Sequence, residues 1–83
     1  MTMPSFEEFE YEDTLEPEIV LRSIVGLLRD RANSTEGWLS LINHPENLVT
    51  TDEIKEQCLT NTKTMKLILE KAKRYVDKRE SNT

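Results

Sequence analysis

Few side chains here are equipped for chemistry. There is one histidine, His44, and one cysteine, Cys58, and no His-x-x-x-His, Cys-x-x-Cys or Gly-rich phosphate loop. His44 precedes Pro45, which disfavours helical geometry at the histidine and places it in a turn. A turn histidine reads first as a polar connector and second as a partner contact or pH-sensitive turn. Asp52 and Glu56 share a helix face at four-residue spacing, yet they lie near a helix start, where carboxylates complement the backbone dipole. The carboxylates of the N-terminal segment lack the convergence that a metal needs. The expectation is a non-enzymatic chain with no catalytic residues, no metal site and no cofactor.

The elements that carry these residues are marked by spacing. Leu21, Val25, Leu28, Ala32, Thr35, Leu39 and Ile42 recur at intervals of four and three, and Ile54, Cys58, Asn61, Met65, Ile68, Ala72 and Tyr75 continue the pattern. A mean spacing of 3.5 keeps one stripe against a partner helix. Asn43-His44-Pro45-Glu46-Asn47 breaks the two runs apart. The spacing predicts helices over residues 15–43 and 51–79, each roughly 40 Å long at 1.5 Å per residue. Asp13 or Thr14 is the expected cap of the first, with Pro17 and the acids Glu16 and Glu18 in its first turn. Thr50 with Glu53 forms a capping box for the second, and Val49 with Ile54 a hydrophobic staple.

Matched lengths give an all-α antiparallel two-helix hairpin over residues 15–80, with an acidic aromatic arm over 1–14 and a tail at 81–83. The arm is expected to be flexible. Two helices cannot enclose a core, and Ile24, Leu27, Trp38, Leu41, Leu59, Leu69 and Val76 widen the apolar stripes. A homodimer forming a four-helix bundle is therefore expected, its core drawn from Leu21, Val25, Leu28, Ala32, Leu39, Ile42, Ile54, Cys58, Met65, Ile68 and Ala72. Cys58 reads as a small buried hydrophobe in a reducing cytosol. Asn61 on the seam either fixes register or turns to the bundle edge and meets water.

The net charge of -5 conceals an asymmetry. Residues 1–18 hold seven acids and no Lys or Arg, whereas residues 19–83 hold eleven bases against nine acids. Lys71, Lys73, Arg74, Lys78 and Arg79 gather at the C-terminal end, as suits a helix C-terminus. Nucleic acid is a poor fit to an acidic chain whose basic cluster lacks an aromatic platform. Phe6, Phe9 and Tyr11 stand among acids in the arm. That segment reads either as a solubilising tail or as an arm whose rings dock in a groove, on this bundle near Lys71 to Arg79 or on another protein. No apolar run approaches the ~18 residues of a membrane span, and no secretion signal is visible, so a cytoplasmic location is expected.

Leu28-Arg29, Asn33, Gly37-Trp38-Leu39 and Leu41-Ile42 resemble the first helix of the dimerisation and histidine-phosphotransfer domain of sensor histidine kinases. Met65-Lys66-Leu67-Ile68-Leu69 is similar to that family's apolar return run, and the resemblance covers residues 19–80. Gly26 stands where the phosphoacceptor histidine belongs, Leu27 at the neighbouring acid and Arg31 at the proline. The resemblance implies a dimeric scaffold with a docking surface for a receiver domain or a kinase hairpin, and no phosphotransfer. That surface would comprise Arg22, Gly26, Arg29, Asn33 and Trp38 with Lys63 and Lys66, joined by Phe6, Phe9 and Tyr11 of the arm. The expected function is an adaptor or inhibitor in signalling. The alternative is an acidic decoy for a basic nucleic-acid-binding surface.

Overall fold

The computed structural model describes residues 9–44 and 49–81. Phe6, Pro45, Glu46 and Asn47 lie outside the described residues. Helix α1 spans Pro17–Ser40 and α2 spans Thr51–Ser81, with a 3-10 turn at Leu41–Asn43 closing the first helix. The helices pack side by side and antiparallel, so the chain is an all-α hairpin. Its principal dimensions are 56 × 28 × 17 Å. The thickness is less than two helix diameters of about 10–12 Å, so the helices form a single layer and each has a solvent-facing back.

Local chemistry explains the boundaries. Pro17 lacks a backbone N–H and sits in the first turn of α1, where that donor would have no intrahelical acceptor. The N-cap is Glu16, not Asp13 or Thr14, and no side chain caps it. Leu15 N–H donates to the Glu12 carbonyl at 3.1 Å, a turn that precedes the helix. The other start follows the capping box: Glu53 N–H donates to Thr50 Oγ1 at 3.1 Å. His44 is exposed and its N–H donates to the Leu41 carbonyl at the end of the 3-10 turn.

On α2 the seam falls where expected. Ile54, Asn61, Ile68 and Tyr75 are buried, while Cys58, Met65 and Ala72 are half-buried. On α1 the stripe against α2 lies one residue earlier than the spacing of the largest apolar residues implies. It runs Val20, Ile24, Leu27, Arg31, Ser34, Trp38 and Leu41, all buried or half-buried. Leu21, Val25, Ala32, Leu39 and Ile42 are exposed, and Leu28 is half-buried. The physical reason is that two polar positions belong to the true seam. Arg31 Nη1 donates to Asn61 Oδ1 at 3.3 Å, and Asn61 Nδ2 donates to Ser34 Oγ at 3.1 Å. Asn61 thus binds across the hairpin, and does not turn to its edge.

Candidate functional site

The hairpin has two long grooves between its helices, and they differ in what covers them. Residues 9–15 run along the first. Tyr11 is 3% exposed and packs with Val20 and Tyr75, flanked by Leu15 and Ile24. Its hydroxyl shares a 2.8 Å hydrogen bond with Ser23 Oγ. Phe9 meets Tyr11 edge-on at 5.1 Å between centroids, and Tyr11 meets Tyr75 at 6.4 Å, the tilted geometry that ring quadrupoles favour. The Tyr75 hydroxyl donates to the Leu15 carbonyl at 2.5 Å.

Cations from the last turns of α2 hold the arm's backbone and its acid. Lys71 is fully buried, its amine donating to the Phe9 carbonyl and lying 3.6 Å from Glu10 Oε1. Arg74 grips Glu10 through Nη2 at 2.7 Å and Nε at 3.2 Å. The hydrogen bond from Arg74 holds the Glu10 carboxyl below the usual carboxylate range, against a smaller desolvation effect of opposite sign, and the same contact raises Arg74. Arg79 Nη1 donates to the carbonyls of Asp13 at 2.8 Å and Leu15 at 3.0 Å, and its guanidinium lies 5.7 Å from the Tyr75 ring centroid. No buried side-chain polar atom among the described residues lacks a partner.

The second groove, on the opposite face, is open. Leu39, Ile42, Ile54, Cys58 and Leu59 line its turn end, and Ala32, Thr35, Leu39, Thr62 and Met65 line its middle. Leu21 and Val25 on α1 with Leu69 and Val76 on α2 extend it toward the open end, and these four are 44–61% exposed. At 100° per residue, Leu21, Val25 and Leu28 turn away from Ser23, the residue that the arm contacts. The arm and the open apolar face therefore occupy opposite sides.

The residues expected to bind a partner separate into four places. Phe9 and Tyr11 are engaged within the chain, and Tyr11 is too deeply buried to meet a second protein. Trp38 is half-buried on the stripe against α2. Arg22, Gly26, Arg29 and Asn33 are all exposed, follow the seam by two positions, and form one ridge along the back of α1. Arg22 there pairs with Glu18 at 2.8 Å on the surface. Lys63 and Lys66 are exposed on α2, and by the same rotation Lys63 faces away from α1, so the seven residues do not form one surface.

Sequence reasoning missed Arg31, Ser34 and Ser23. The first two carried a signal, since the stripe beginning at Val20 has the same heptad spacing as the one chosen. Among the described residues, no group of three or more His, Cys, Asp or Glu could hold a metal, and no helix is long and apolar enough to cross a membrane. No family model, curated protein or solved structure matches the chain.

Proposed function

We propose that this chain is a non-enzymatic, homodimeric helical interaction module of the cytoplasm, similar to the dimerisation domain of histidine kinases. It acts as an adaptor or inhibitor in signalling without phosphotransfer. The observation that carries this reading is that α1 bears two adjacent stripes. One is spent on α2, the other is apolar and uncovered, the pattern of a helix with neighbours on two sides. Behind both lies the polar ridge of Arg22, Gly26, Arg29 and Asn33. A Cβ at Gly26 would meet nothing within 4 Å, so the ridge offers a gap to an incoming side chain.

That ridge is the docking surface for a receiver domain or a kinase hairpin. Titrating receiver domains and kinase hairpins into the full chain, with Arg29→Glu alongside, tests it. Binding at or below about 100 µM that Arg29→Glu weakens at least tenfold supports the reading. Absence of binding by every domain sinks it. For the decoy alternative no observation speaks, since Glu10 is bound by this chain's own cations.

A further inference from the structure

We propose that the open apolar face is covered by a second copy of this chain, and that the docked arm confines association to that face. This rests on the reading of a homodimeric module and deepens it by assigning the face and the residue segment that limits assembly.

Three observations select a second copy as the occupant. The first is size. α1 has 24 residues, so the face is about 36 Å long at 1.5 Å per residue, and two helices make it about 20 Å wide, giving roughly 700 Å² on each copy. A standard specific interface buries about 800 Å² on each partner. The second is periodicity. Leu21, Val25, Leu28, Ala32, Leu39 and Ile42 keep coiled-coil spacing along the open face, which fits helices and not a flat or curved sheet. The third is charge. The charged residues lining the groove are Glu36 on α1 and Lys55 on α2, of opposite sign and on different helices. A twofold axis that lays α1 over the partner's α2 sets apolar residues against apolar residues and opposite charges along the rim.

The arm supplies the stoichiometry. A bare two-helix plate would offer both grooves, and association through two faces of one molecule generates open stacks in place of a closed pair. Tyr11, packed on Val20 and Tyr75, bonded to Ser23 and backed by the Lys71, Arg74 and Arg79 contacts, covers the end of the first groove where its apolar residues gather, and the stretch beyond is lined by Leu27, Asp30, Arg31, Thr64 and Ile68, with charged and polar side chains among them. One continuous apolar face remains, and two copies close the assembly.

Sedimentation velocity on the full chain, with helicity followed by circular dichroism, decides the matter. Wild type is expected to sediment at twice the 9.7 kDa chain mass at about 100 µM. Leu39→Glu is expected to halve that mass while keeping helicity, with Val25→Ser as the milder variant if helicity falls. Glu10→Arg, which sets a cation against Lys71 and Arg74, is expected to yield species heavier than a dimer. A wild-type chain sedimenting as a single copy overturns the proposal, as does a dimer indifferent to both Leu39→Glu and Val25→Ser. A Glu10→Arg chain that stays dimeric overturns the role given to the arm. The receiver titration with Arg29→Glu reads a different surface, so the module's failure and the dimer's failure are distinguished.

Discussion

The two grooves of the hairpin are lined by the same pair of helices, yet they are finished by different means. On the arm side, rings and long-range hydrogen bonds join residues 9–15 to residues 71–79, so distant parts of the sequence meet in one closed cluster. On the open side the residues are more hydrophobic and are left uncovered: Leu21, Val25, Leu39, Ile42 and Val76. The difference shows that hydrophobicity alone does not choose the inner face of a small hairpin. A polar trio bonded to one another can sit on the inner seam, as Arg31, Asn61 and Ser34 do, while leucines stay outside for another helix.

The comparison is broken most severely at Tyr75. Replacing it by alanine removes a ring from the arm cluster and the donor to the Leu15 carbonyl. A loss of about 3 kcal/mol in urea unfolding is expected, with the arm released, since large aromatic truncations cost ~3–5 kcal/mol. A loss below about 1 kcal/mol would mean that the arm side is decoration. Asn61→Ala sharpens the contrast at the seam shared by both grooves. It leaves the half-buried Arg31 and Ser34 without their cross-hairpin partner, and an unpaired buried polar group costs ~1–3 kcal/mol, less where water reaches it. Thermal melts should therefore show a drop of about 2 kcal/mol, and Ser34→Ala in the same chain should recover part of it.

The smallest expected effect is the response to acid. Glu10 has a lowered folded pKa, so its contact with Arg74 contributes above the unfolded carboxylate range and is lost as pH falls through the folded value. Near-ultraviolet circular dichroism from the tyrosines should shift as pH falls below the ordinary glutamate range while the far-ultraviolet helical signal holds, the aromatic signal being the one that depends on the arm. Glu10→Gln should abolish that shift. If it persists in the variant, another carboxylate governs the arm.

Much of the fold was legible because its signals are local. Thr50 and Glu53 are three residues apart and bond as that spacing demands, and the α2 seam repeats over seven positions. The α1 seam was misread by one residue because Leu21, Val25 and Leu39 outweigh Arg31 and Ser34 on any hydrophobic count, and a helix with two neighbours has two candidate stripes. The cap of α1 was misplaced because Asp13 lies in a turn whose carbonyl serves Arg79 from the far end of the chain, a tertiary contact that no local rule contains. Arm docking near Lys71 to Arg79 was one of the readings the sequence left open. Which ring goes deepest depended on Ser23, on the side of α1 to which the helical rotation turns it, and on the reach of Tyr75.

Lys71 turns the arm into something that can be timed. Its amine is wholly shielded, and the Phe9 carbonyl and Glu10 lie directly upon it. Reagents and enzymes that acylate lysines reach such a nitrogen only when the strap lifts, while Lys63, Lys66 and Lys73 on the same helix stand in solvent throughout. The ratio of labelling between that one amine and its neighbours is a built-in gauge of how often the chain lets go of its own N-terminal segment.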